Sequence, residues 1–155
     1  MWCRKQSAVV SIVVCFVFLV VLTALVFFGP WVATQWLVRF RGMSADGELL
    51  QRMILLFKWC FYPCAVFAYV ALYCLLKLLF NIKLDNTFIT QNVGYLRCIS
   101  WCCLGVTVIT AIGGCFYLPF GVIAIAAAFM GLMLRVVKNV LQSAVEIKEE
   151  NELTI

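Results

Sequence analysis

The stretch AVVSIVVCFVFLVVLTALVFF, residues 8–28, decides the fold class of this chain. It contains no charged residue, and about 20 such residues are enough to cross the hydrocarbon core of a membrane as a helix. Arg4 and Lys5 precede it, an arrangement that also suits a secretory signal peptide. We favour an uncleaved helix, because this apolar core is longer than a signal core and residues 29–31 (Gly-Pro-Trp) form a poor cleavage site.

Three further apolar stretches follow, at about residues 53–80, 96–116 and 118–137. The whole chain is 66% hydrophobic and 12% charged, whereas a soluble domain is about half apolar and a quarter charged. Long continuous apolar runs indicate helices, because a membrane barrel needs short strands of alternating character. The sequence therefore predicts an all-α integral membrane four-helix bundle, with residues 1–155 forming a single transmembrane domain.

The basic residues at the ends of the spans predict the orientation through the positive-inside rule. With the N-terminus inside, eight basic residues face the cytoplasm and four face outward. We therefore predict that both termini, the loop 81–95 and the tail 142–155 are cytoplasmic. The inward residues are Arg4, Lys5, Lys77, Lys83, Arg97, Arg135, Lys138 and Lys148, and the outward ones are Arg39, Arg41, Arg52 and Lys58.

Two connections lie on the predicted outer side. Residues 29–51 carry tryptophans that favour the membrane interface, which fits either a short helix on the outer leaflet or an irregular anchored loop. Gly113, Gly114 and Pro119 mark a very short turn between the third and fourth spans. Those two spans are therefore expected to form an antiparallel hairpin.

Few polar side chains lie within the spans. Lys58 is costly in lipid and raises a functional hypothesis, although a lysine at this depth also reaches the interface by extending its side chain. Ser100, Thr107 and Thr110 can each bond to a carbonyl one helical turn back. One hypothesis places these four residues in a cavity of a small transport or permease-like component. No carboxylate lies inside a span, which argues against cation-coupled transport.

The chain contains nine cysteines, most of them within apolar segments, and no histidine. Cys60 and Cys64, like Cys98 and Cys102, are four residues apart and share a helical face. Such faces either pack as small hydrophobes or bind a soft metal or form a redox pair, and we favour packing. Because no histidine or other base accompanies the thiols, we predict neither an enzyme nor a cofactor or metal.

Small residues recur in the fourth span at the spacing that lets helix backbones approach closely. They are Ala124, Ala127, Ala128 and Gly131. This pattern predicts packing against another helix, either of the same chain or of a second copy in a homo-oligomer.

Two polar segments are expected on the cytoplasmic side. Asp85, Asn86 and Thr87 are good N-cap residues, which predicts a break near Asp85 and then a helix that enters the third span. The tail 142–155 is acidic, which opposes the helix macrodipole. It is therefore either a frayed, solvated helix end or a docking segment for a basic partner, with Leu153 and Ile155 as apolar anchors.

Residues 85–93 (DNTFITQNV), followed by Leu96, Arg97 and Ile99, resemble the signature loop of a bacterial membrane family catalogued as domain of unknown function 2975. The ending 149–155 (EENELTI) resembles the usual terminus of that family, although Thr87 stands where proline is frequent. The resemblance implies a small four-helix inner-membrane protein. Its members are often encoded beside a small Cro/CI-type helix-turn-helix regulator.

These observations favour a non-enzymatic regulator or anchor in the bacterial cytoplasmic (inner) membrane, with a transport component as the alternative. Its partner would be a small basic DNA-binding regulator at the cytoplasmic face. The chain itself is not expected to bind nucleic acid, because its basic residues are not clustered in one stripe. The candidate docking residues are Asp85, Asn86, Phe88, Glu149, Glu150 and Glu152.

Overall fold

The computed structural model contains four long α-helices. It describes the backbone of residues 2–41, 47–84, 89–115 and 118–152, and the side chains of residues 9–39, 47–84, 89–115, 118–148 and 150. The helices are α1 (Trp2–Arg41), α2 (Glu48–Lys83), α3 (Thr90–Gly114) and α4 (Leu118–Glu152). Each is long and apolar enough to cross a membrane, so the predicted all-α four-helix fold is confirmed.

The helices pack in chain order, α1 on α2, α2 on α3 and α3 on α4. Within the described ranges, no other pair of helices comes into close backbone contact. Asn81 of α2 bonds to Asn92 of α3 at one end of the bundle, and Cys60 of α2 lies against Gly113 of α3 at the other. We call these the Asn92 end and the Gly113 end. The Asn92 end holds the α2–α3 connection and the C-terminus of α4, and the Gly113 end holds the α3–α4 turn.

Helix α3 lies at the centre of the arrangement, whereas α1 and α4 are mostly exposed. In the most apolar windows, 33% of α3 residues are buried, against 6% for α1 and 11% for α4. Large apolar side chains such as Phe27 and Ile125 are 77% and 74% exposed. So much uncovered apolar surface is unfavourable in water and natural in lipid.

Helix α1 continues well past the predicted end of the first span. It runs through Pro30 to Arg41, so residues 29–41 form neither a separate interfacial helix nor an irregular loop. Proline removes one helical hydrogen bond, but membrane helices tolerate it because neighbouring groups satisfy the freed backbone. The carbonyl that Pro30 leaves without its helical partner is that of Val26, one turn earlier. The Thr34 hydroxyl makes a separate bond to the Pro30 carbonyl at 2.8 Å, and the buried Leu37 keeps the extension packed. Residues 42–46 lie outside the described part of the chain.

The α3–α4 connection is the short antiparallel turn that the sequence predicts. Helix α3 ends at Gly114 and α4 begins at Leu118. A Cβ added to Gly114 would lie 2.9 Å from the Cα and N atoms of Gly121, so the two backbones meet where only glycine fits. Pro119 follows in the first turn of α4, where a missing N–H costs no helical bond.

The small residues of α4 pack against α3 of the same chain. Ala124 is only 6% exposed, and a Cβ on Gly131 would lie 3.3 Å from the Cβ of Cys103. The sequence leaves open whether Gly131 packs against a helix of the same chain or of a second copy. In the structure this helix is α3 of the same chain.

Helix α3 begins later than its sequence predicts. Its first residue is Thr90, and Ile89 occupies the N-cap position, where the apolar side chain makes no capping bond. The predicted caps Asp85, Asn86 and Thr87 lie outside the described residues. The Asn92 N–H instead bonds the Ile89 carbonyl at 3.0 Å, and the buried Asn92 side chain bonds α2. Tertiary contacts of this kind routinely override a local capping preference.

Candidate functional site at the Asn92 end

Helix α4 is too long to end at the membrane surface. Its 35 residues span about 52 Å, whereas the hydrocarbon core of a bilayer is about 30 Å thick. If the apolar run ending near Val137 fills the core, residues from Lys138 to Glu152 project about 22 Å beyond it. The tail is thus helical as far as Glu152.

The projecting part of α4 packs on the first turns of α3. Val145 is only 4% exposed although it lies beyond the membrane span. Beside it, a groove of about 350 Å³ separates the two helices. We call it the terminal groove, and it is lined by Thr90, Val93, Gly94, Arg97, Gln142, Val145 and Glu146. The Gln142 amide donates to the Glu146 carboxylate at 3.0 Å.

A buried amide pair fixes the start of α3 to the end of α2. The Asn81 Nδ2 donates to the Asn92 Oδ1 at 2.8 Å. Asn92 is 1% exposed and Asn81 is half-buried, so removal of Asn81 would leave the buried Asn92 carbonyl oxygen without this partner. The α2–α3 connection and the α4 extension are therefore both attached to α3, which makes the Asn92 end one packed unit.

Closer to the membrane, α3 and α4 form a second, polar cleft of about 330 Å³. We call it the basic cleft, and it is lined by Arg97, Ser100, Trp101, Arg135, Lys138 and Asn139. The Ser100 hydroxyl donates to the Gly131 carbonyl at 2.9 Å and holds the helices together there. Because the helices are antiparallel, Arg97 and Arg135 each lie about one turn from that bond toward the Asn92 end.

The cations of the basic cleft are held without nearby carboxylates. The Arg135 guanidinium lies over the Trp101 ring, 5.1 Å from the centroid, which is a cation–π contact. Among the described side chains, no carboxylate lies within 4.0 Å of Arg97, Arg135 or Lys138. Three positive charges therefore share one cleft.

The predicted docking residues occupy the same end of the molecule. Asp85, Asn86 and Phe88 lie outside the described residues, within the short connection between α2 and α3. Glu150 is exposed on the last turns of α4, whereas the side chains of Glu149 and Glu152 lie outside the described part. The structure adds that the first turns of α3 and the projecting part of α4 face each other across the terminal groove.

The four predicted polar-site residues are not gathered in one cavity. Lys58 is exposed on α2 near the Gly113 end. Thr107 and Thr110 donate to the carbonyls of Cys103 and Val106, one turn back along α3, as predicted. Ser100 differs from its prediction, because its hydroxyl crosses to α4 at Gly131 instead.

The distances along the helices explain this separation. Cys60, close to Lys58 in α2, lies against Gly113, which is 13 residues or about 20 Å along α3 from Ser100. An apolar cavity of about 290 Å³ does open near Gly113, between α1 and α2. None of the four predicted polar-site residues lines it.

Sequence reasoning missed two groupings that only the helix packing creates. Cys74 on α2 lies within electrostatic range of Cys98 and Cys102 on α3, so the group of neighbouring thiols spans two helices. The basic cleft was also missed, since Arg97, Arg135 and Lys138 served only to predict orientation. The sequence did contain one indication of the cleft, because Arg97 and Arg135 each lie one helical turn from a small residue at which two helices can approach closely.

The comparison with known proteins gives one match. The model of a family described as "Protein of unknown function (DUF2975)" matches residues 6–155, nearly the whole chain. No curated protein and no solved structure shows significant similarity to the chain. The matched range includes both segments of the Asn92 end, the loop before α3 and the end of α4.

Proposed function

Because the chain belongs to the DUF2975 family, whose description assigns no activity, we propose its function from the geometry of the Asn92 end. The chain is a non-enzymatic anchor in the bacterial inner membrane that holds a partner protein on the cytoplasmic side. One observation carries this proposal. Helix α4 continues unbroken to Glu152 and is packed on α3 through the buried Val145, well beyond the length that a membrane span requires.

A rigid projecting helix suits an anchor because a preorganised surface loses little conformational freedom on binding. The first turns of α3 and the end of α4 support each other across the terminal groove. The Asn81–Asn92 bond ties the same unit to α2. A partner would therefore meet a preformed surface of two helices.

The charge of this surface indicates the chemistry of the partner. Glu146 and Glu150 are exposed on the projecting part of α4, and the sequence adds Glu149 and Glu152. An acidic helix favours a basic partner, because complementary charge raises the association rate and disfavours other partners. The small basic helix-turn-helix regulator implied by the family resemblance fits this description, with DNA bound by the regulator and not by this chain.

We favour the anchor over a transport component because the residues proposed for a transport cavity lie far apart. Lys58 is near the Gly113 end, and Ser100 is about 20 Å away along α3. The hydroxyls of Ser100, Thr107 and Thr110 already bond to carbonyls. A transport role would need a polar path that these side chains do not form.

The proposal is tested by co-expressing the full chain with a small Cro/CI-type helix-turn-helix regulator of the kind that the family resemblance implies, and purifying the pair from detergent-solubilised membranes. We expect the double variant Glu150→Gln, Glu152→Gln to weaken the complex about thirtyfold and to lower the recovered regulator accordingly, because each lost carboxylate removes about 1 kcal/mol of charge-assisted binding. The matched control is Asp46→Asn, Glu48→Gln, which removes the same charge at the opposite end.

Equal recovery of the regulator with the wild-type chain and with the Glu150, Glu152 variant would contradict the proposed docking surface. Loss of the regulator with the Asp46, Glu48 control would also contradict it, because that result would indicate a response to net charge alone. A shorter chain ending after Gln142 gives a second comparison. It removes Val145 and the acidic turns together and should abolish recovery.

A further inference from the structure

We propose that the basic cleft binds a phosphate group, and that the headgroup of an anionic phospholipid supplies it. The cleft has a volume of about 330 Å³, which is room for about ten water molecules and ample for one phosphate with its first hydration partners. Arg97 comes from α3, and Arg135 and Lys138 come from α4, so the cations approach the cleft from two sides. The proposal is independent of the protein partner proposed above.

Contacts within the protein hold the cations of the cleft in place. The Ser100–Gly131 bond fixes how closely α3 and α4 approach, and the positions of Arg97 and Arg135 follow from it within one turn. The Arg135 Cζ lies over the Trp101 ring, 5.1 Å from its centroid. This contact uses no N–H hydrogen bond to a protein acceptor, so the guanidinium keeps N–H groups for the paired bonds that phosphate oxygens accept.

The three positive charges of the cleft favour a bound anion. Arg97 also lines the terminal groove, together with Glu146, but the Glu146 carboxylate accepts a hydrogen bond from Gln142 and lies more than 4.0 Å from the Arg97 guanidinium. Arg52 and Glu48 form a salt bridge away from the cleft, near the Gly113 end. Three cations near a low-dielectric boundary repel one another, so a bound anion stabilises them.

The level of the cleft along α4 identifies a lipid as the source of the phosphate. Arg135 is the first charged residue of α4 after the uninterrupted apolar run from Leu118, and Lys138 follows one turn later, so the two cations stand at the end of that run. Trp101 is 61% exposed at the same level, as expected of a tryptophan at a membrane interface. Basic pockets between membrane helices at this depth are typical sites for anionic headgroups.

The test measures lipid retention by native mass spectrometry of the full chain in detergent, with added phosphatidylglycerol or phosphatidylcholine. We expect the wild-type chain to retain phosphatidylglycerol in preference to phosphatidylcholine. The variant Arg135→Gln, Lys138→Gln should weaken phosphatidylglycerol binding about tenfold or more, since each cation contributes a charge-assisted bond. The matched control Arg52→Gln, Lys58→Gln removes two cations at the Gly113 end and should bind like the wild type.

Helical content and thermal unfolding without lipid show whether each variant is folded. Arg97→Gln, a single change on the other helix, provides an independent variant if the double change perturbs α4. Lys138→Arg keeps the positive charge and should bind phosphatidylglycerol like the wild type. Equal loss of phosphatidylglycerol in the cleft variant and the control would overturn the site. If inorganic phosphate at millimolar concentration displaced the lipid and the two lipids bound equally, the assignment to a lipid headgroup would be overturned in favour of a soluble phosphate.

Discussion

The Ser100 hydroxyl donates a 2.9 Å hydrogen bond to the Gly131 carbonyl and thereby joins α3 to α4 at the inner edge of the basic cleft. Ser100 is 1% exposed, so water does not compete for this bond. The two helices also approach closely at this level, because a Cβ added to Gly131 would lie 3.3 Å from the Cβ of Cys103. This contact connects the packing of the bundle to the position of the cleft cations.

Substitutions at Ser100 and Gly131 should both destabilise the α3–α4 pair. Ser100→Ala removes the interhelical bond and should cost about 0.6 kcal/mol, with ~1.7 kcal/mol as the upper bound for such bonds in membrane proteins. Gly131→Ala places a methyl group 3.3 Å from the Cys103 Cβ, which sits next to the α3 backbone and cannot swing away. We expect a cost of about 1–3 kcal/mol from this overpacking.

The measurement is unfolding in a mixed-detergent titration followed by circular dichroism. Gly94→Ala is the matched control, because a Cβ there meets nothing within 4 Å and alanine favours a helix. A Gly131→Ala variant as stable as Gly94→Ala would contradict the close approach of α3 and α4.

The turn between α3 and α4 gives a second, asymmetric prediction. A Cβ on Gly114 would lie 2.9 Å from backbone atoms of Gly121, whereas a Cβ on Gly121 meets nothing within 4 Å. Gly114→Ala should therefore lower stability by more than 1 kcal/mol, about the cost of forced backbone shifts, and Gly121→Ala should be neutral or stabilising. Thermal unfolding of the two purified variants distinguishes them, and equal melting temperatures would be inconsistent with the turn described here.

Removal of the buried amide at Asn92 should loosen the Asn92 end. Asn92→Ala leaves the half-buried Asn81 amide without its 2.8 Å partner and removes a buried side chain, which costs about 1 kcal/mol. Gln91→Ala changes the adjacent, exposed side chain and should stay within about 0.5 kcal/mol of the wild type. Hydrogen exchange of the amides from Thr90 to Leu96 provides the readout. Equal protection in the two variants would mean that the amide pair does not hold α3 in place.

The hydropathy pattern predicted most of the fold, because four uninterrupted apolar runs admit few arrangements in lipid. It missed the helical continuation through Pro30, since proline ends helices in water far more reliably than in a membrane. The cap residues before α3 likewise misled the prediction of its start. A local preference worth about 1 kcal/mol yields to the packing of Asn92 and Val93.

The candidate sites depended on contacts between helices, which sequence spacing within one helix does not contain. Cys98 and Cys102 share a face of α3, but the thiol cluster is completed by Cys74 from α2. The basic cleft similarly combines Arg97 with two cations that lie well over 30 positions later in the chain. Knowledge of the Ser100–Gly131 register was required to bring them together.

The thiol cluster predicts an oxidative crosslink between α2 and α3. Cys98 lies near Cys74 on the neighbouring helix, so a membrane-permeant two-electron oxidant should join these two thiols in a disulfide, and peptide mapping would identify the joined fragments. Cys98→Ser should abolish this product. Cys115→Ser at the Gly113 end is the control and should leave it unchanged. Persistence of the α2–α3 crosslink in Cys98→Ser would place a different thiol against Cys74.

The orientation of the chain is the prediction on which both proposed roles of the Asn92 end depend. Lys77, Lys83, Arg97, Arg135, Lys138 and Lys148 all belong to the Asn92 half of the bundle. The positive-inside rule therefore predicts that this half faces the cytoplasm. A green fluorescent protein fused after Ile155 should fluoresce, and alkaline phosphatase fused there should be inactive.

The same reporters inserted between α1 and α2, after Ser44, should give the opposite pair of results, because the chain has crossed the membrane once by that point. Addition of two lysines at this connection would oppose the cytoplasmic excess and should produce a mixed orientation. Active phosphatase at Ile155 in the unmodified chain would place α4 and its acidic turns outside the cell. A cytoplasmic regulator could not then reach them, whereas the basic cleft would still lie at a headgroup level, in the outer leaflet.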